Sequence, residues 1–222
     1  ATLDMIGQMY RQIDQHSDSA LLVRGVDDIH AAKMAGRTGF ILGFQDTSPI
    51  ADKLYLLRAY RELGVRIIQL TYNFENLVGF GCQAPEDRGL TEFGRQVVAE
   101  MNRLGLLIDL SHCGPRTTLE AIDRSAQPVA ITHSNPAARF PHPRNKSNEA
   151  IKACAARGGV IGAIAFPAML TPNLPATLDD YVNTINDLVE VAGIDHVGIG
   201  PDFMEEMPAE VAAVVLKGLP VD

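Results

Sequence analysis

The sequence predicts an α/β fold of the (β/α)8 barrel type, and two observations indicate it. Near-continuous apolar runs alternate with amphipathic stretches along the chain, which is typical of a parallel sheet covered by helices on both faces. No G-x-G-x-x-G loop follows the first apolar run, LLVRGVDD, so an open dinucleotide-binding sheet is the weaker alternative. At 222 residues, we expect a single, incomplete barrel domain over 1–222.

Seven runs have the composition of strands, whereas a closed barrel of this type needs eight. They are Ala20–Arg24, Thr38–Gln45, Val65–Tyr72, Gly105–His112, Pro128–His133, Gly159–Phe166 and His196–Asp202. The chain opens on a helical pattern at Leu3–Gln15. We therefore expect the missing strand to precede Leu3 and to pair between the Leu21 and His196 strands.

The stretches between the strands contain residues that start and stop helices. Thr91 and Thr177 are suitable N-caps, and Gly105 and Gly193 stand where the same two helices would end. The predicted helices are Asp52–Leu63, Thr91–Leu104, Thr117–Ser125, Asn148–Arg157 and Leu178–Ala192.

Composition argues against several classes of protein. A formal net charge of −8 without a Lys/Arg cluster argues against nucleic-acid binding. No apolar run approaches the length of a membrane span. The first residues lack the pattern of a signal peptide, and the three cysteines, Cys82, Cys113 and Cys154, have no paired spacing. We therefore expect free thiols in a reducing, cytoplasmic compartment.

Polar side chains occupy most of the predicted C-terminal ends of the strands, where barrel enzymes build their sites. In strand order the ends are Gln45, Tyr72–Asn73, His112, His133, Phe166 and Asp202. Imidazoles on neighbouring strand tips can converge on one cation because adjacent strands lie about 4.8 Å apart. Asp202 adds a carboxylate suited to a ligand or a general base. The alternative, in which both histidines are structural, stays open.

Two loops contain further candidates. Arg144, in HPRNKS at 142–147, can grip a substrate carboxylate with its planar guanidinium group. A solvent-facing basic turn is the alternative for this segment. The Gly/Pro-rich loop at 76–89 contains Cys82, and no base close in sequence would activate that thiol.

Five segments of the sequence, taken in order, match the motifs of one protein family. In order they are GRTGFILGFQDTSPIADKLYLLRAYRELGVRIIQLTYNFENLVG, GLTEFGRQVVAEMNRLGLLIDLSH, PVAITHS, HPRNKS and VGIGPDF. Over about Leu21–Phe203 this series resembles the membrane (renal) dipeptidase family of zinc peptidases. The resemblance implies a (β/α)8 barrel of the metal-dependent hydrolase type, two zinc ions at its mouth, and the cleavage of dipeptides, including some with a D-residue in second position.

The resemblance also implies roles for individual residues. His112 and His133 match the two histidines that bind one zinc ion. Asp202 matches the aspartate that contacts the substrate amine and the attacking water. Arg144 matches the arginine that binds the substrate carboxylate.

Three residues depart from the family pattern. Gln45 stands where a glutamate bridges the two zinc ions, and a neutral amide disfavours a paired site. Tyr72 replaces a histidine that stabilises the oxyanion, although its hydroxyl can still donate. Phe166 replaces a tyrosine that helps Arg144 to hold the carboxylate. The family's first-strand His-x-Asp pair is not in this sequence, and the tail after Asp202 is shorter than the family's.

The sequence therefore predicts a metal-dependent, dipeptidase-like hydrolase that acts on dipeptides or related small amino-acid amides through a metal-activated water. We expect one zinc ion rather than two, with Gln45 and Asp202 as further ligands. The alternative is a catalytically inactive relative that binds a small amino-acid-like ligand. The sequence leaves a homodimer open.

Overall fold

The computed structural model describes residues 2–173 and 175–203. Its helices α1–α7 are Thr2–Gln15, Val26–Met34, Leu56–Glu62, Glu92–Leu104, Pro115–Arg124, Asn148–Ala156 and Leu178–Ala192. Its strands β1–β8 are Ala20–Leu22, Thr38–Phe40, Leu42–Phe44, Val65–Gln69, Leu107–Asp109, Ala130–Ser134, Val160–Ala163 and Val197–Ile199. The strand pairs are parallel, which confirms the predicted α/β class. The chain divides into two compact units, Ala1–Ala130 and Ile131–Asp222.

In the first unit, β3, β4 and β5 lie side by side in sequence order. The last residue of β5, Asp109, is paired with Ala130, the first residue of β6. Ile68, Leu70 and Ile108 are fully buried, as apolar strands under a helical layer should be. Helices α3 and α4 pack against β4 and β5 and against each other.

The strand predicted at Ala20–Arg24 is present as β1, Ala20–Leu22. Among the described residues it pairs in parallel with β2, in a two-stranded sheet. The predicted strand Thr38–Gln45 is divided into β2 and β3 at the exposed Ile41. The first part, β2, pairs with β1, and the second part, β3, pairs with β4. The expectation of a missing strand between the Leu21 and His196 strands stays a prediction.

In the second unit, β7 lies between β6 and β8. Helix α7 packs against β7 and β8, and α6 packs against β7 and α7. A Cβ at Gly162 or at Gly200 would collide with the backbone carbonyl of Thr132. Only glycine fits at either position, since the backbone itself fills the space.

Local capping explains the positions of two helices that the sequence predicts, α4 and α7. The Thr91 hydroxyl accepts a hydrogen bond from the Gly94 N–H, and Gly105 ends α4 in the left-handed conformation, φ 66°. Thr177 caps α7 through a capping box with Asp180. Helix α2, which the sequence pattern did not indicate, buries only Ala32.

Two further expectations concern the chain as a whole. Among the helices of the described residues, none has the length and apolarity needed to cross a bilayer. The single-domain assignment stays a prediction, and the tail at 204–222 lies outside the described residues.

Candidate functional site

Each predicted site residue lies at or just beyond the C-terminal end of a strand, or in the loop that follows. In the first unit these residues are Gln45 after β3, Tyr72 after β4 and His112 after β5. In the second unit they are His133 on β6, Arg144 in the β6–α6 loop, Phe166 after β7 and Asp202 after β8. The parallel strands of each unit thus place their candidates at equivalent ends.

His112 is buried and held by the two residues that follow β4. Its side chain is 5% exposed, and its Nδ1 atom lies 2.7 Å from Oδ1 of Asn73. The Tyr72 ring stacks on the imidazole, with ring centroids 4.1 Å apart and planes 21° apart. An amide oxygen only accepts hydrogen bonds, so this orientation of the Asn73 amide favours the tautomer with its proton on Nδ1.

The loop after β4 folds back onto the end of β5. The Cys82 N–H donates to the His112 carbonyl at 2.8 Å, and the Gln83 N–H donates to the Asn73 carbonyl at 2.8 Å. The Cys82 thiol lies 3.7 Å from Asn73 Oδ1. Cys82 therefore lies beside His112 in space, a proximity that sequence separation concealed.

Two other polar groups near His112 have structural contacts. Asp109 Oδ1 accepts from the backbone N–H and the hydroxyl of Ser111, at 3.0 and 2.6 Å. This arrangement fixes the turn that leads to His112. Cys113 is buried, and its sulfur accepts a hydrogen bond from the Thr71 hydroxyl at 3.4 Å.

Gln45 is exposed and lies beside an apolar cavity. The cavity has a volume of about 510 Å³ and is lined by Met5, Ile6 and Met9 of α1 together with Gln45 and Tyr72. The Gln45 carbonyl accepts from the Gln69 amide, which fixes the backbone at the tip of β3. The oxygen of the same amide, Gln69 Oε1, is buried and has no hydrogen-bond partner among the described residues.

In the second unit, Arg144 is a buried cation that is hydrogen-bonded to β6. The side chain is 5% exposed, and its Nη2 atom donates to the His133 carbonyl at 3.2 Å. Ser134 on the same strand donates from its hydroxyl to the Arg144 carbonyl at 2.8 Å. The alternative of a solvent-facing basic turn is therefore wrong for Arg144.

His133 itself is 7% exposed, and its Nδ1 atom lies 2.7 Å from the Thr132 hydroxyl oxygen. His142, on the loop leading to Arg144, accepts a hydrogen bond from the Arg144 N–H at 3.2 Å through Nδ1. Burial, followed by the Arg144 charge, lowers the pKa of His142 below its ordinary value. Both effects disfavour the protonated ring.

Asp202 has an unusual backbone conformation, with φ at 58°. Non-glycine residues in the left-handed region are uncommon, although aspartate tolerates it better than most. Such conformations cluster at functional sites. Asp202 and Phe166 are both half-buried.

The imidazole of each histidine is a side chain of the type that binds zinc. Zinc is usually held by three or four protein ligands. Within residues 2–173 and 175–203, no group of three or more His, Cys, Asp or Glu side chains is arranged to hold a metal. A proton on Nδ1 of His112, held by an amide oxygen, would leave Nε2 as the nitrogen that binds a metal, which is a usual arrangement of metal-ligating histidines.

Comparison with known proteins identifies relatives across most of the chain. Dipeptidase tcpJ of Claviceps purpurea is 31% identical over 214 residues, which are 95% of this chain and 50% of that protein. An uncharacterized dipeptidase of Schizosaccharomyces pombe is 32% identical over 209 residues, 91% of this chain and 50% of that protein. The chain thus spans about half the length of the curated relatives it matches.

Solved structures share the fold. An amidohydrolase from Pseudomonas aeruginosa is 40% identical with a TM-score of 0.90, over 93% of this chain and 63% of that one. A metallo peptidase from Rhodobacter sphaeroides, 24% identical, has a TM-score of 0.86 over 99% of this chain and 68% of that one. These likenesses confirm the predicted fold class.

The family resemblance is confirmed over nearly the whole sequence. Residues 1–215 match the family model described as membrane dipeptidase, peptidase family M19. The chain therefore belongs to the membrane dipeptidase family, peptidase family M19.

Proposed function

We propose that the protein is a metal-dependent, dipeptidase-like hydrolase that cleaves dipeptides or related small amino-acid amides. The observation that most supports this function is the buried Arg144 guanidinium group, which donates a hydrogen bond to the carbonyl of His133. A cation held away from water beside a proposed metal ligand suits a substrate whose carboxylate lies one residue from the bond to be cleaved.

Arg144 would bind that carboxylate through paired, charge-assisted hydrogen bonds. Lysine offers a single ammonium group and cannot form the same pair of parallel hydrogen bonds with a carboxylate. Phe166 would contribute an apolar wall without a hydroxyl, so the carboxylate would depend on Arg144 more heavily than in relatives with tyrosine.

His112 and His133 would hold one zinc ion, with Gln45 as a weak oxygen ligand and Asp202 as a further carboxylate. When bound, such an ion supplies Lewis acidity and lowers the pKa of a coordinated water to about 7. Asp202 would accept the proton of the attacking water and return it to the leaving amine. The Tyr72 hydroxyl would donate a hydrogen bond to the oxyanion.

A second candidate is a relative without activity that binds a small amino-acid-like ligand through Arg144. The neutral Gln45 in place of a bridging carboxylate favours it, because an amide oxygen contributes no charge to a metal pair. In that case ligands would bind without turnover.

The test compares dipeptides with a free C-terminus and the same dipeptides with an amidated C-terminus, on full-length protein loaded with zinc. We expect Arg144→Lys to lower kcat/KM at least tenfold for the free forms and to spare the amidated ones. Arg139→Lys is the matched control, because Arg139 lies on the same loop and pairs with Asp187. Equal losses on both substrate types would refute carboxylate recognition by Arg144. Tight calorimetric binding with no hydrolysis by the unmutated protein would favour the second candidate.

A further inference from the structure

We propose that Asn73 is the positioning residue of His112: it selects the ring tautomer, and the Tyr72 ring sets the plane of the imidazole. The inference rests on the proposed function only in treating His112 as a metal ligand. The orientation of the ring is a property of the polypeptide alone and is testable without metal.

The amide oxygen of Asn73, Oδ1, is the atom that faces both neighbours. His112 Nδ1 lies 2.7 Å away, and the Cys82 thiol, a weak donor, lies 3.7 Å away. Because an amide oxygen accepts hydrogen bonds and cannot donate them, this orientation of the amide favours a proton on Nδ1. With the amide reversed, its NH2 group would donate to Nδ1 and leave the imidazole proton on Nε2, and the experiment below distinguishes these two tautomers.

Stacking and hydrogen bonding restrict different motions of the ring. The Tyr72 ring, 21° from parallel at a centroid distance of 4.1 Å, limits tilting of the imidazole but is compatible with a half-turn about the Cβ–Cγ bond, which returns the ring to the same plane and exchanges Nδ1 with Cδ2. The contact between Nδ1 and Asn73 Oδ1 distinguishes the observed orientation from that half-turn. Together the two contacts fix which nitrogen is turned away from Asn73.

The backbone holds this arrangement in place. The Cys82 and Gln83 N–H groups donate to the carbonyls of His112 and Asn73, each at 2.8 Å. These bonds join the loop after β4 to the tip of β5, so that Asn73 and His112 are kept in register. A ligand oriented before the metal arrives loses less entropy on binding, which is the general reason for such supporting contacts.

Loss of a residue that orients a metal-ligating histidine typically lowers metal affinity about 10–100-fold. We expect this loss for Asn73→Leu, which removes the acceptor while keeping the number and branching of the side-chain heavy atoms. Asn73→Asp retains an acceptor at the same place and should restore both the tautomer and the affinity. Asn102→Leu is the matched control, since Asn102 accepts and donates several hydrogen bonds elsewhere in the same unit.

The experiment records long-range ¹H–¹⁵N spectra of the ¹⁵N-histidine-labelled, metal-free full-length protein, with His112 assigned through His112→Gln. We expect one tautomer with the proton on Nδ1, a mixture in Asn73→Leu, and the original pattern in Asn73→Asp and Asn102→Leu. Zinc affinity, measured by competition with a chelator, should follow the same order.

A proton on Nε2 of His112 in the unmutated protein would overturn the inference, even if no Asn73 variant folds. An unchanged tautomer in Asn73→Leu would overturn it as well. If the tautomers are as predicted but no form of the protein binds zinc, the positioning role of Asn73 is supported and the proposed metal site is refuted.

Discussion

Gly81 offers a sharp test of how the loop after β4 supports His112. The residue is buried, and a Cβ added there would lie 2.5 Å from the Asn73 carbonyl oxygen and closer still to the Tyr72 carbonyl oxygen. Real Cβ atoms essentially never come within 3.0 Å of another heavy atom. Since the obstructing atoms are backbone, no side chain can rotate away, and the Tyr72–Asn73 peptide must move instead.

We expect Gly81→Ala to destabilise the fold and to weaken the site together. Overpacking a well-packed position typically costs about 1–3 kcal/mol, and a backbone obstruction places Gly81→Ala near the upper end. For a protein of about 150–250 residues, each kcal/mol lowers the midpoint of thermal unfolding by roughly 2–4 °C, so a loss of roughly 6–12 °C is predicted. Displacement of Asn73 should also lengthen its hydrogen bond to His112.

The assay is thermal unfolding of the metal-free full-length protein, followed by zinc titration at a temperature where each variant is folded. Gly7→Ala is the control, because nothing lies within 4 Å of a Cβ at that position in α1. Alanine in a helix interior is favoured over glycine by about 1 kcal/mol, so this control should be neutral or stabilising. If Gly81→Ala matches the unmutated protein in both midpoint and zinc affinity, the close packing of the loop against Tyr72–Asn73 is refuted.

Two further predictions concern a buried histidine and the replaced glutamate. Burial and the Arg144 charge lower the pKa of His142 below its ordinary 6.5, so the unfolded chain binds a proton that the folded loop does not. The free energy of unfolding should therefore decline as the pH falls below about 6.5. His142→Asn, which keeps an acceptor for the Arg144 N–H, should flatten that decline in denaturant titrations, whereas an unchanged pH profile would contradict it. Gln45→Glu should raise the zinc content toward two ions per full-length chain, because a carboxylate can bridge two cations; elemental analysis showing no gain would count against this role of Gln45.

Local capping made part of the fold predictable from sequence. Thr91 and Gly105 define the ends of α4 through contacts within a few residues, and Thr177 does the same for α7. The division of Thr38–Gln45 into two strands was not predictable, because it depends on which strand lies alongside. The first half pairs with β1, and the second half pairs with β4.

In the candidate site, too, the features that depend on local sequence were predictable, and those that depend on tertiary contacts were not. The strand-end residues follow from the alternation of strands and helices, and Arg144 from its place in HPRNKS. The partnership between Asn73 and His112 joins residues 39 positions apart, and it exists only because the loop containing Cys82 folds back onto β5. No periodicity in the sequence encodes that contact.

The central claim is that His112 and His133 hold one zinc ion, and metal content tests it most directly. Full-length unmutated protein, His112→Ala and His133→Ala would be loaded identically, dialysed and analysed for bound metal, with His30→Ala at an exposed position of α2 as the control. We predict about one ion per chain in the unmutated protein and in the control, and loss of most of it in both site variants. Full metal content in His112→Ala and His133→Ala would contradict the claim, and two tightly bound ions in the unmutated protein would contradict the single-ion site.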